Sequence, residues 1–293
     1  MTIKNNNSAL IGIIYVLLSA LSFAASSSFG KMVTMNSSMS GMVNSFSRFL
    51  LGTIVMFIYI VITKKSFKPN RFKHIFIRSA FNSISIMLFS LGFQYTTITN
   101  ANMLQMTYPV FVLILAPIIY KDKIKKSNYL YLGTIMLGCY LVAFPDFSSV
   151  NIGDVYSILS SIAAAISILS LKEAGKYDES HIIIFYVMLL ATIINLPFVI
   201  KDLAMPDTKV LLDIVLSAVT GVLGQVFITM GYKYVDNATG AIVSASRILI
   251  AAILGIVLFS DPLNSRVVFG GIVIILALIG ISGYFDRYKK TNV

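Results

Sequence analysis

Two arginines stand where a lipid bilayer would make them expensive. Arg48 and Arg247 each lie about nine residues into a long apolar run, which at 1.5 Å per helical residue sets a guanidinium roughly 14 Å deep in a hydrocarbon core of about 30 Å. A charge at that depth costs about 2.5 to 3.5 kcal/mol on insertion scales, so each must face a cavity or a partner. The chemistry on offer is paired N–H donation to a carboxylate. For Arg48 this reading stands beside a structural one, in which backbone carbonyls hold the side chain; for Arg247 the functional reading is preferred. Asn82, Gln105, Tyr108 and Ser244 are the uncharged candidates for the same pocket, Tyr108 through its hydroxyl or its ring face. Of the other Ser, Thr and Asn residues on the apolar runs, a set that includes Ser26, Ser27 and Ser28, most are expected to bond helix to helix and the rest to line the pocket. Pro109 has no N–H to donate, and its ring clashes with a helical carbonyl four residues back, at Gln105. It is expected to break a helix there, either freeing a carbonyl as ligand or gate or leaving a passive kink.

The acids inform by where they are not. All twelve Asp and Glu fall between the apolar runs or within about a turn of an end, so no carboxylate stands at mid-depth. That disfavours a pump for lipophilic cations and favours a substrate with at least one anionic group, such as an amino acid or a zwitterionic metabolite. His74 and His181 lie at run ends, and the chain has no HExxH, no Walker A pattern and no buried carboxylate pair. An enzyme is therefore not expected. The single cysteine, Cys139, excludes an intramolecular disulfide and speaks against a cysteine metal site. No cofactor or metal is expected, and a receptor would need a soluble signalling module that has no room here.

Long apolar elements must position these residues. Of 293 residues 57% are hydrophobic and 12% charged, with a mean hydropathy of +0.85, more apolar surface than one water-soluble core can hide. Ten runs can be marked, over 9 to 29, 40 to 62, 75 to 93, 101 to 120, 129 to 145, 152 to 171, 181 to 200, 210 to 231, 238 to 259 and 267 to 285. The first is too long for a signal-peptide core and is expected to be retained. The net charge of +11 is spread between runs rather than gathered on a soluble face, so nucleic acid is not an expected partner. With the N-terminus inside, seventeen of the 23 Lys and Arg fall in cytoplasmic segments and four outside, so both termini are expected in the cytoplasm.

The chain also repeats itself. At an offset of 139, Gly92, Tyr95, Thr107, Leu115 and Asp122 fall on Gly231, Tyr234, Ser246, Leu254 and Asp261. At an offset of 141, Gly12, Tyr15, Ser26 and Lys31 fall on Gly153, Tyr156, Ser167 and Lys172. Two units follow, residues 1 to 145 and 146 to 293. Five runs per unit is an odd number, so the second copy enters the membrane inverted: an all-α integral membrane protein of ten transmembrane helices in two inverted five-helix repeats. This is the plan of a secondary transporter, whose substrate site lies near the midplane between the copies. Tyr108 and Arg247 occupy equivalent positions at the 139 offset and are expected to meet one ligand.

These features together resemble the EamA family of the drug/metabolite transporter superfamily, over nearly the whole chain. The resemblance rests on Arg48 in SRFLLG, Arg78 opening the third run, GFQYTTITNAN, Pro109 in TYPVF, the acid Asp122 and Gly133. The family usually has Glu at the positions of Asp122 and Asp261, often Trp-Gly at Phe23-Ala24 and often a second proline at Ile248. It implies alternating-access carriage of a small polar organic metabolite across the cell membrane, amino acids and their relatives first. S-adenosylmethionine or a nucleoside-like metabolite is the alternative, and a cationic drug efflux pump a lesser one. Expected partners are the small-molecule substrate and membrane lipid, the protein being a monomer or homodimer.

Overall fold

The computed structural model describes residues 6–37, 39–96, 98–145, 151–200 and 206–282. Among them all regular secondary structure is helical: α1 Asn6–Asn36, α2 Gly41–Ile62, α3 Phe72–Tyr95, α4 Ile98–Gln105, α5 Tyr108–Tyr120, α6 Lys126–Ala143, α7 Ile152–Ala174, α8 Ser180–Val199, α9 Thr208–Tyr234, α10 Asn237–Ser244, α11 Arg247–Phe259 and α12 Ser265–Ile281. The pairs α4/α5 and α10/α11 are each one span broken in the middle, so twelve helices make the ten expected crossings. Seven crossings are long and apolar enough to span a bilayer by length and composition alone; α12 is a shorter apolar helix. The division between residues 145 and 146 falls at the edge of residues 146–150, which lie outside the described ones.

The helices pack mainly across the two copies. α1 lies along α9, α3 along α7, α2 along α8 and α6 along α12. Exchanging the copies turns the first pair into the second and maps the other two onto themselves. Residues that carry the repeat in sequence make these crossings. Gly12 of α1 meets Gly231 of α9 so closely that a Cβ on Gly12 would lie 2.7 Å from Tyr234 and Val235. Their counterparts Gly153 and Gly92 meet in the same way, a Cβ on Gly153 colliding with the Gly92 carbonyl. Small residues here let the backbones touch, which is how membrane helices gain packing without a hydrophobic driving force.

Hydrogen bonds follow the same symmetry. Ser26 Oγ donates to the Ser217 carbonyl at 2.7 Å, and in the other copy Ser167 Oγ donates to the Arg78 carbonyl at 2.8 Å. Thr53 and Thr192 are 139 residues apart and bond to each other, Oγ1 to Oγ1 at 3.2 Å. A residue that touches its own equivalent marks the pseudo-twofold axis, which passes between α2 and α8 here.

Connections meet only on their own side. Asp178 accepts the backbone N–H groups of Asn70 and Arg71, and Asp122 accepts from Asn237 Nδ2 at 2.7 Å. These join loops bearing Lys64, Lys65, Lys68, Arg71, Lys121, Lys123, Lys125, Lys176 and Lys233, which define a basic face. On the opposite face Thr96 bonds Asp154 at 2.7 Å, and Arg266 lies over the Phe144 ring at 3.7 Å. Lys4, Lys201, Arg287, Lys289 and Lys290, which enter the charge count, lie outside the described residues, as do both chain ends.

Candidate substrate site at the two helix breaks

At residues 106 and 107 the helical ladder tightens: Thr107 N–H bonds the Leu104 carbonyl at 3.1 Å and Val110 N–H that of Thr107 at 2.9 Å. The same three-residue step recurs at 245 and 246, where Ala245, Ser246 and Ile248 bond back to Ile242, Val243 and Ala245. The two breaks are 139 residues apart, as the repeat requires. Only the first is followed by a proline. Pro109 is the second residue of α5, a position where a helix has no partner for the missing N–H, and Ile248 stands at the equivalent place in α11. The expectation that Pro109 makes the break is thus narrowed, since the fold breaks the ninth span without one. The Leu104 carbonyl at the break is also occupied, accepting from Thr107 Oγ1 at 2.6 Å.

Tyr108 and Arg247 each open the second half of a broken span, so both stand at mid-crossing, where two half-helices present their N-terminal ends. Arg247 reaches α1: its Nη2 donates to Ser27 Oγ at 2.9 Å, and its guanidinium lies 5.8 Å from the Phe23 ring. Arg48 comes to the same stretch from α2. Its stem fills the notch at Gly221 on α9, where a Cβ would collide with Arg48 Cδ and lie 2.9 Å from Ser26 Oγ, while Gly224 holds the Phe23 ring. The two side chains thus come to adjacent residues of α1, Arg247 to Ser27 and Arg48 beside Ser26. Both side chains are partly accessible and do not lie in a dry core. Among the described residues Glu173 pairs with Lys176 and Glu179 lies 3.3 Å from His181, both at connections; neither Arg48 nor Arg247 faces a carboxylate.

Tyr108 is buried, and its hydroxyl turns toward Ser244, which Tyr232 approaches from α9. Ser244 Oγ donates to the Gly240 carbonyl at 2.8 Å. Tyr232 Oη, Ser246 Oγ and Gln105 Oε1 are buried with no hydrogen-bond partner. The structure therefore gathers Arg48, Arg247, Tyr108 and Ser244. Gln105 ends α4 beside the first break, while Asn82 is partly buried on α3 and no hydrogen bond ties it to the others. Arg78 is a different case, buried at the α3 crossing with Nη1 donating to Ser167 Oγ at 2.7 Å. Phe23, Gly221 and Tyr232 complete the surroundings and were not among the candidates. The Gly-x-x-Gly spacing of Gly221 and Gly224 is the sequence signal that could have found them.

The symmetry fails in one respect. On the basic face α10 packs against α5, and Lys172 Nζ donates at 2.6 Å to the carbonyls of both Tyr232 and Val235 at the end of α9. Exchange of the copies would place α4 against α11 and Lys31 on the end of α3. Among the described residues no comparable packing of α4 on α11 occurs, and Lys31 lies over the Phe259 ring at 4.0 Å. The two broken spans are thus closed together on the basic face and parted on the other. Outside the closure is a cavity of about 190 Å³ with Asp122, Lys125, Lys172, Glu173, Lys176 and Asp236 in its wall.

The sequence profile of the EamA-like transporter family matches residues 10–144 and again 151–283. An uncharacterised transporter of Helicobacter pylori is 24% identical, over 97% of this chain and 99% of its own. The pseudopaline exporter CntI of Pseudomonas aeruginosa is 22% identical, over 84% of this chain and 86% of its own. A solved crystal structure superposes with a TM-score of 0.78 at 10% identity, covering 97% of this chain and 99% of that one, and so shares the fold.

Proposed function

Because the chain belongs to the EamA-like transporter family and is a multi-pass membrane transporter, not an enzyme, we propose that it carries a small polar organic metabolite with an anionic group, an amino acid or a related zwitterion or anion, by alternating access across the cytoplasmic membrane. The observation that carries this reading is the pair Arg48 and Arg247, partly accessible in mid-crossing and without a protein carboxylate. An uncompensated charge in such a place is costly, and an anionic ligand supplies the missing partner. In this reading Arg247 and Arg48 hold the anionic part. Tyr108, Ser244, Gln105 and Asn82 line the rest, and the breaks at 106 to 107 and 245 to 246 let the halves of a span move separately. The excess of Lys and Arg on one face supports placing that face, with both termini, in the cytoplasm.

Uptake of radiolabelled candidates into proteoliposomes tests this. Accumulation of a carboxylate-bearing metabolite above protein-free vesicles, lost in Arg247→Ala, is the expected result. Equal accumulation with and without protein across carboxylates and amino acids would overturn it.

A further inference from the structure

Resting on the transport reading above, we infer that the site takes an organic dianion, one anionic group for each arginine. The charge inventory leads there. Arg48 comes from the first copy and Arg247 from the second; they approach α1 from different helices and meet no carboxylate. Their neighbours Ser26, Ser27, Phe23, Tyr108 and Ser244 are neutral, and the third buried guanidinium, Arg78, is bonded to Ser167 Oγ.

A monoanion would satisfy one guanidinium and leave the second enclosed and unpaired, the costly half of a broken pair. A zwitterion fares worse. Its ammonium would come beside two positive charges and no carboxylate, and the Phe23 ring face is already occupied by Arg247. A ligand with two separated carboxylates gives each of these two planar guanidinium groups a planar partner. A phosphate monoester has the same charge at one centre, so the two sources differ in how far apart the negative groups lie. The loaded carrier is then the form that can close over its site, and the empty one holds two like charges apart.

Thermal stabilisation and proteoliposome competition with defined probes test this on the full chain. Malonate, succinate, glutarate and adipate vary the spacing; succinamate and succinamide remove one and both charges; aspartate adds an ammonium; glycerol 3-phosphate represents the monoester. One dicarboxylate should bind at least about tenfold more tightly than succinamate, a single lost charge-assisted pair. Succinamide should not bind, and aspartate should bind more weakly than succinate. In Arg48→Gln the preference for succinate over succinamate should vanish. Wild-type protein alone gives a second reading: lowering pH through succinate's second ionisation should weaken its binding. Tightest binding by glycerol 3-phosphate would assign the dianion to a phosphate ester. Succinamate or aspartate binding as tightly as the best dicarboxylate overturns the inference and leaves an anion carrier standing. Failure of every anion to bind, with unimpaired transport in Arg247→Gln, overturns the anion site itself.

Discussion

Arg247 makes a paired donor fork, and its geometry should matter beyond its charge. Arg247→Lys keeps the charge and loses the fork, so affinity for a carboxylate substrate should fall about tenfold, near 1.4 kcal/mol, with folded yield little changed. Arg247→Ala should abolish transport of that substrate; normal transport would make the residue structural. Gly221 offers a subtler test. In a helix interior Gly→Ala is worth about 1 kcal/mol in favour of alanine, but here the new methyl meets the flexible stem of Arg48. Gly221→Ala should therefore fold and bind anions several-fold more weakly, and unaltered binding would show that the stem can move aside freely. The two arginines were legible in the sequence because a charge inside an apolar run is rare and visible. Ser27, the partner of Arg247, is 220 residues away and stood in a list of polar residues with nothing local to single it out. Gly221 and Phe23 matter through contact with those arginines, which no pattern along the chain records.

The broken spans carry the next set of expectations. Since Pro109 sits where a helix start tolerates proline and α11 begins at the equivalent place without one, Pro109→Ala should keep the break. Transport within about twofold of wild type and stability within about 1 kcal/mol are expected; a larger loss of transport at unchanged folded yield would return the gate to the proline. Lys172 is the stronger candidate for a gate. It ties α7 to the last carbonyls of α9, where a cation also complements the helix dipole, and its repeat mate Lys31 makes no such tie. Lys172→Met should raise labelling of a cysteine placed at Asn237 several-fold by a reagent applied from the basic face. No change would show that the closure rests on α5 and α10 alone. Half of this was readable in advance: the repeat offset equates residues 106 and 107 with 245 and 246, yet Pro109 drew attention to itself as cause because the second break has no residue type to announce it. Which lysine is engaged depends on packing between copies, and similar sequences look alike in either arrangement.

For the whole molecule, the ten crossings and the two copies were plain from run lengths and from the paired glycines, because bilayer thickness and close helix approach both leave strict marks in sequence. The same glycines prove to be the crossing points. What the chain alone did not disclose is that its two faces differ, the broken spans meeting on one side and parting on the other. Orientation is the simpler test: with Cys139→Ser as background, single cysteines at Lys68 and Lys209 should label from opposite sides of intact cells, and equal labelling would refute the topology. The central claim is that the copies exchange roles to move an anion past Arg48 and Arg247. Spin labels at Lys123 and Lys233 report the basic face, and labels at Tyr95 and Leu258 the opposite one. Without ligand the first pair should be the closed one. Saturating succinate should lengthen the Lys123 to Lys233 distance while the Tyr95 to Leu258 distance shortens; both distances fixed, or both growing together, would contradict the account.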